Sequence, residues 1–133
     1  MISSTIKVIV PNDIKSVWYV VTTIENYEWR SDLQDADYIN PKEFYEVDLN
    51  GFKTNFKITL ENPYSRWEFD IDNSRISGHW IGIFTITSEG TQLEFIENIS
   101  PKKVYLKPFI KSFLKKQQSL YINDLLKRLD CNN

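Results

Sequence analysis

The sequence is poor in cysteine, histidine and small side chains, and these scarcities exclude several kinds of site. Its 133 residues include one cysteine, one histidine, one alanine and four glycines. A single cysteine, Cys131, cannot form an internal disulfide, so a reducing compartment, the cytoplasm, is the simplest expectation. The single histidine, His79, has no second histidine or cysteine at ligand spacing, so no metal site is expected.

Nucleotide-binding motifs, long apolar runs and an excess of positive charge are also absent. The sequence has no P-loop, no G-x-G-x-x-G pattern and no G-x-S-x-G nucleophile elbow, and we expect no cofactor. No apolar run approaches the roughly 20 residues that span a bilayer, and the first residues lack the pattern of a signal peptide. The net charge of -2 leaves no general basic field for nucleic acid, which is not expected as a partner.

The small net charge hides two segments of opposite charge. Residues 1–100 contain 8 basic and 16 acidic side chains, a balance of -8, whereas residues 101–133 contain 8 basic and 2 acidic ones, a balance of +6. A basic segment of this kind fits either an acidic surface within the same fold or an anionic membrane. The sequence leaves both possibilities open.

Aromatic residues are the main excess. Four tryptophans, seven tyrosines and eight phenylalanines make up 14% of the chain. The length suits one domain, so residues 1–133 are predicted to form a single domain. Large rings either fill a thick core or line a cavity, and composition does not distinguish these arrangements.

Hydrophobic periodicity predicts an α+β arrangement. Alternation up to Pro11 indicates a first strand, and apolar residues at helical spacing from Ile14 indicate a helix of about 13 residues. Residues 26–37 show no clean period, and we expect a short helix or turn there. From residue 38 to 100 the period is 2, which is typical of antiparallel strands, and from Val104 to Leu129 it is helical again.

Two hairpins set the predicted register of the strands. Asn50-Gly51 favours a two-residue type I′ turn, which places Tyr45 opposite Phe56. A second loop at residues 88–91 places Gly82 opposite Glu97. In this register seven aromatic rings share the face directed towards the last helix: Tyr45, Phe56, Trp67, Phe69, Trp80, Phe84 and Phe95.

Five segments, spread over nearly the whole chain, carry a resemblance to a known superfamily. They are IKVIVPNDIKSVWYVVTTIENYEWR, NGFKTNFKI, SGHWIGIF, GTQLEFIENI and KPFIKSFLKKQQSLYINDLLKRL. Together they resemble the START-like, or SRPBCC, superfamily, and within it the polyketide cyclase/dehydrase and lipid-transport family. The resemblance implies a helix-grip fold, in which a bent antiparallel sheet of about six to seven strands wraps around a long C-terminal helix and leaves a hydrophobic cavity. Members bind lipids, sterols, polyketides or other apolar molecules, and only some of them are enzymes.

The predicted ligand-binding residues are those that would line this cavity. They comprise the seven inward rings, Phe109 and Phe113 on the facing stripe of the last helix, and two polar side chains, Glu97 and Gln117. Gly78 and Gly82 would leave gaps on the inner face. The alternative is a solid core, in which the rings fill all the space.

Glu97 is the best candidate for a catalytic group, because strand parity directs its carboxylate towards the cavity. An unpaired buried carboxylate is costly, so Glu97 would orient a ligand, act as an acid or base, reach water at an edge, or form a structural salt bridge with Arg30. Gln117 lies in the middle of the apolar stripe of the last helix. It would bond a ligand, a water molecule or Glu97, or be a satisfied core amide.

These observations predict a protein that binds a small hydrophobic ligand, lipid- or polyketide-like. Two alternatives are a cyclase- or dehydrase-like enzyme, which needs a second polar group near Glu97, and a module that docks on an anionic membrane or a protein through the basic helix. The segment at residues 29–32 would either gate the cavity or bridge helix and sheet. The outer-face residues Ile81, Ile83 and Ile96 would form a dimer patch or be covered by loops, so a monomer and a homodimer both fit the sequence.

Overall fold

The computed structural model describes residues 1–130, so Cys131 and the prediction about its pairing lie outside the described residues. Within residues 1–130 the chain forms seven strands, two α-helices and one short 3-10 helix. In chain order these are β1 (Ile2–Val10), α1 (Ile14–Thr22), β2 (Leu33–Asn40), β3 (Glu43–Asp48), β4 (Lys53–Asn62), β5 (Arg66–Asp72), β6 (Ile76–Thr87), β7 (Gly90–Pro101), the 3-10 helix (Val104–Leu106) and α2 (Lys107–Asp130).

The seven strands form one antiparallel sheet in the order β1-β7-β6-β5-β4-β3-β2. α2 packs against β1 and β7, and α1 packs against β6 and β7, so both helices meet the sheet near the same edge. We call the face that they cover the inner face. This is the predicted α+β helix-grip fold, with a seven-stranded sheet and a long C-terminal helix. No helix within residues 1–130 has both the length and the apolar character needed to cross a membrane.

α1 begins where the sequence predicts and ends sooner. At its start, the Asp13 carboxylate accepts a hydrogen bond from the backbone N–H of Ser16 at 3.2 Å. At its end, the hydroxyl of Tyr38 donates to the carbonyl oxygen of Thr22 at 2.7 Å. The same carbonyl accepts a second hydrogen bond from the N–H of Ile24 at 3.1 Å, and the helix ends here after nine residues.

The expectation of a short helix or turn over residues 26–37 is wrong for its second part, because β2 begins at Leu33. The pairing of β2 with β3 shifts in register between Leu33 and Asp35 and again between Tyr38 and Asn40. Each shift interrupts the alternation of faces by which a strand is identified in a sequence. The strands between residues 43 and 101 lie in the region where alternation predicted them.

The first hairpin has a different turn from the predicted one, and this corrects the position of Tyr45. The Gly51 N–H donates to the Asp48 carbonyl oxygen, and Gly51 alone in this turn has a positive φ, 83°. The turn is therefore a three-residue loop with glycine in the left-handed region, because a type I′ turn needs two such residues. The odd loop length shifts the register by one residue, so Phe44 lies opposite Phe56 and Tyr45 faces outwards.

The second hairpin differs from the predicted register by two residues, which leaves every predicted face unchanged. Thr87 pairs with Gly90 across a two-residue turn, and Glu97 pairs with Trp80 rather than with Gly82. Because side chains alternate with a period of 2, an even shift keeps the inward residues of both strands on the inner face.

The space above Gly78 and Gly82 is filled, so the prediction that these glycines leave gaps is wrong. A Cβ atom on Gly82 would lie 2.5 Å from the ring of Trp80. A Cβ atom on Gly78 would lie 2.5 Å from the backbone oxygen of Asn98 and from the side chain of Ile99. Both positions need glycine because neighbouring atoms approach the backbone closely.

We expect Gly82→Ala to destabilise the protein. Trp80 lies between Phe69 and Phe95, at ring-centroid distances of 4.7 and 4.9 Å, so its indole cannot move aside freely. The overpacking should lower the free energy of unfolding by about 1–3 kcal/mol, as measured by urea denaturation. Thr85→Ala, at an exposed position of the same strand, is the control. Equal stability of the two variants would contradict this account.

Candidate functional site

A cavity of about 690 Å³ lies between the inner face of the sheet and α2. This volume falls within the range of about 300–1,000 Å³ that is usual for small-molecule sites. The inner face is therefore not covered by a solid core. Nine of the predicted site residues line the cavity: Phe56, Trp67, Phe69, Trp80, Phe95, Glu97, Phe109, Phe113 and Gln117.

Two of the predicted site residues, Tyr45 and Phe84, do not line the cavity. Tyr45 is on the outer face, where its hydroxyl donates to the Asp35 carboxylate at 2.9 Å. Phe84 is on the inner face but packs against Trp18 of α1, with ring centroids 4.9 Å apart. α1 covers this ring, whereas the sequence pattern does not show which helix lies over which part of the sheet.

The rings of the inner face touch side by side along the sheet rather than across the cavity. Phe44 stacks on Phe56 at 4.6 Å, and Phe69 stacks on Trp80 at 4.7 Å between ring centroids. Among the aromatic rings of α2 within residues 1–130, that of Tyr121 alone contacts a ring of the inner face. Its ring lies 5.6 Å from that of Phe95, and we call the part of the cavity around this contact the inner end.

The cavity also opens to solvent. Phe109 and Phe113 line it and yet are 69% and 56% exposed, and Leu49 in the first hairpin, which also lines it, is 64% exposed. We call these three side chains the mouth. Apolar side chains therefore border the access to the cavity, and the exposed Asn50 and Arg75 also line it.

Arg30 holds the polar part of the inner end together. Its guanidinium donates to both carboxylate oxygens of Asp32, at 3.0 and 3.1 Å, and to Glu46 at 3.2 Å. It also lies 4.8 Å from the ring centroid of Tyr121. Burial alone would lower the pKa of Arg30, but the charges of Glu46 and Asp32 outweigh it and raise the pKa. Arg30 therefore stays charged.

Glu97 lies near this cluster without joining it. The alternative of a salt bridge to Arg30 is not realised, and no group within residues 1–130 hydrogen-bonds the Glu97 carboxylate. The side chain is half-buried, and it lines the cavity. Burial, together with the nearby charge of Glu46, raises the pKa of Glu97 to about 7, although Arg30 acts in the opposite direction. Glu97 can therefore take up or release a proton at neutral pH.

The satisfied buried amide of α2 is Gln118 and not its neighbour Gln117. Gln118 accepts a hydrogen bond from the Ser4 hydroxyl at 2.7 Å and donates to the Ser4 carbonyl oxygen at 3.0 Å, which ties α2 to β1. Gln117 lines the cavity and forms no side-chain hydrogen bond within residues 1–130. Its amide is therefore free to bond a ligand.

The segment at residues 29–32 bridges helix and sheet, which is one of its two predicted roles. The N–H and the hydroxyl of Ser31 both donate to Asp124 of α2 at 2.8 Å, while Arg30 reaches Glu46 of β3. The segment thus connects α2 with β3, and its residues Arg30 and Asp32 line the cavity. No group of three or more His, Cys, Asp or Glu side chains within residues 1–130 is placed to hold a metal ion.

Several residues of the site were not among the predicted ones. The predicted register, which directs Tyr45 inwards, places Phe44 and Glu46 on the outer face, and the observed three-residue loop places them on the inner face. Tyr121 follows the apolar stripe of α2, but its spacing does not show that it faces a cavity. Arg30 lies in a segment without periodicity, where no sequence signal indicates its partners.

No protein-family model and no curated protein matches the sequence. Solved structures do match the fold. A protein from Mesorhizobium loti superposes with a TM-score of 0.84 at 13% identity, over 99% of this chain and 99% of that chain. A START superfamily protein from Mycobacterium smegmatis superposes with a TM-score of 0.83 at 11% identity, over 99% of this chain and 98% of that chain.

A third match is a protein in the dynemicin biosynthetic locus, with a TM-score of 0.75 at 14% identity. The match covers 98% of this chain and 48% of that chain. At these identities the comparisons establish the fold, which is START-like, as the sequence resemblance implied.

Glu97→Gln is expected to stabilise the protein at alkaline pH. The pKa of Glu97 rises from 4.5 to about 7 on folding, so ionisation increasingly opposes folding as the pH rises through this window. A neutral amide removes this cost, so the variant should gain up to about 3 kcal/mol at pH 8 and little at pH 4. Urea denaturation at pH 4, 6 and 8 measures the difference.

Glu94→Gln, on the outer face of the same strand, controls for the substitution itself. If the stability gained by Glu97→Gln is the same at all three pH values, the raised pKa of Glu97 is wrong.

Proposed function

We propose that the protein binds a small hydrophobic ligand, lipid-like or polyketide-like, in the cavity under α2. The observation that carries this proposal is the cavity itself, a space of about 690 Å³ walled by aromatic rings and bordered by the apolar mouth. Burial of apolar ligand surface there would supply about 25 cal/mol per Å². Polar groups at the inner end would fix the orientation of the ligand.

The comparisons support a binding role at the level of fold. One matching structure is that of a START superfamily protein, and another is that of a protein in the dynemicin biosynthetic locus. The START-like resemblance implies a hydrophobic ligand, because members of that superfamily bind lipids, sterols and polyketides. The choice of ligand depends on the side chains of this cavity, since one fold serves many functions.

A cavity-filling substitution tests the proposal. Gln117→Trp places a large ring in the cavity from a position that has no side-chain hydrogen bond to lose within residues 1–130. The fluorescence of the neutral dye N-phenyl-1-naphthylamine measures its binding to the protein. The affinity of the variant for the dye should be about tenfold or more weaker, because the indole occupies volume that the dye needs. Lys116→Trp, at an exposed position of the same helix, should bind the dye as the wild type does.

Native mass spectrometry of protein purified without detergent provides an independent test. A bound apolar molecule that the wild type retains and Gln117→Trp lacks would support the proposal. A wild type that retains no such molecule and does not bind the dye would overturn it.

An enzyme with cyclase- or dehydrase-like acid–base chemistry is the alternative for the same cavity. It needs two polar groups that converge on one ligand and have shifted pKa values. Glu97 has a pKa of about 7, and burial raises the pKa of Tyr121, which lines the same cavity. In such a reaction Glu97 would exchange a proton while the protonated Tyr121 donated a hydrogen bond.

We also propose that the protein makes peripheral contact with anionic membranes through the region of the mouth. The 3-10 helix and the first half of α2 expose large apolar side chains, Val104, Tyr105, Phe109 and Phe113. Exposed lysines occur along the same segment: Lys102, Lys103, Lys107, Lys111, Lys115 and Lys116. Apolar groups that insert among lipid headgroups, flanked by lysines, are typical of an interfacial helix.

These lysines form almost no ion pairs with other described residues of the protein. Of the eight basic side chains between residues 101 and 130, Lys102 alone forms a salt bridge within the described residues, at 2.7 Å from Asp72. The other sequence-based explanation, an electrostatic fit between the basic helix and an acidic sheet, is therefore realised by a single ion pair.

Replacing Phe109 and Phe113 together with serine should weaken binding to phosphatidylserine vesicles about tenfold or more, because two rings leave the lipid interface. High salt should also weaken binding of the wild type, since it screens the lysine charges. Co-sedimentation with vesicles measures both effects. Ile86→Ser, another exposed apolar residue but one that does not line the cavity, is the control. Equal binding of the double variant and the wild type at low salt would contradict the proposal.

A further inference from the structure

Three carboxylates lie at the inner end of the cavity, and only two of them form an ion pair with a described residue. Arg30 is positive, and it is paired with both Asp32 and Glu46. Glu97 adds a third carboxylate, which lines the cavity and has no ion pair or side-chain hydrogen bond within residues 1–130. We propose that Glu97 binds a protonated amine carried by an otherwise apolar ligand. This inference rests on the proposed ligand-binding function.

The other two charged residues that line the cavity, Asp48 and Arg75, lie near the first hairpin. Arg75 is exposed, and its guanidinium lies 4.2 Å from the ring centroid of Phe52. Asp48 lies at the turn, where its carboxylate accepts hydrogen bonds from the N–H groups of Asn50 and Phe52. A charged group at the inner end therefore meets one guanidinium and three carboxylates.

Aromatic rings lie next to the free carboxylate. Trp80 is the cross-strand partner of Glu97, and Phe95 precedes Glu97 by two residues on the same face. The rings of Trp80 and Phe95 are 4.9 Å apart. The faces of aromatic rings attract cations, and Arg30 already lies against Tyr121 in this way, at 4.8 Å. A protonated amine beside Glu97 would gain an ion pair, and the aromatic lining would contact the apolar part of the ligand.

An anionic group would be disfavoured at the same place. Burial and the neighbouring Glu46 already raise the pKa of Glu97 to about 7, with Arg30 only partly offsetting them, so the site resists even its own negative charge. A ligand carboxylate would add another, whereas an amine favours the ionised form of Glu97. The lysines near the mouth attract anions, but their charges lie in water and are screened over about 8 Å, so they act on the approach of a ligand.

Three ten-carbon ligands that differ only in the polar group test the inference: decylamine, decanol and decanoate, each used below its micelle-forming concentration. Displacement of N-phenyl-1-naphthylamine at pH 8 gives their affinities. Decylamine should bind about tenfold or more tightly than decanol, because only the amine gains a charge-assisted bond to Glu97. Decanoate should bind most weakly, since its charge repels the carboxylates.

A variant pair assigns the effect to Glu97. Glu97→Gln should weaken decylamine binding about tenfold and leave decanol binding within about threefold, because only the charge is removed. Glu94→Gln, on the outer face of the same strand, should leave both affinities unchanged. The urea transition of each variant verifies that it is folded.

The inference is overturned if decanol or decanoate binds more tightly than decylamine, or if Glu97→Gln leaves the affinity for decylamine unchanged. Either result leaves the ligand-binding function intact, provided that the wild type binds the dye. If neither the dye nor any of the three ligands binds, the proposed function itself fails, and the inference fails with it.

Discussion

The ion pairs of Arg30 are the constraint on which the inner end of the cavity depends. One guanidinium binds Asp32 in its own loop and Glu46 on β3, and it lies against Tyr121 on α2. Removing a guanidinium from water is costly unless its donors are satisfied, so the loop, the sheet and the helix are held in one arrangement. Because Arg30 is engaged with these partners, Glu97 is left as a free carboxylate that faces the cavity.

The position of the helices explains why space remains in front of the aromatic rings. Both helices pack near one edge of the sheet, where Gln118 and Ser4 tie α2 to β1. The rings of β3, β4 and β5 project from the other part of the sheet and pack side by side. An apolar cavity leaves its lining without some packing contacts, and an apolar ligand would restore them.

Strand alternation accounts for most of the correct predictions. The inward residues of β5 alternate strictly with charged ones, and all of them are buried. An even shift in the pairing of β6 and β7 did not move Glu97 from the inner face. The odd shift at Gly51 moved Tyr45 outwards and Phe44 inwards. The difference arises because a turn of two residues and a turn of three share the same asparagine–glycine signal.

The sequence by itself determined the order of the elements and the parity of most strands, because both depend on local periodicity and on the burial of apolar side chains. Only the tertiary structure decided which of the inward groups face a cavity. Phe84 lies under α1, Gln118 rather than Gln117 is the satisfied amide, and Arg30 pairs with Glu46 rather than with Glu97. Each of these outcomes joins residues far apart in the chain and depends on distances of a few ångström, which a local pattern does not encode.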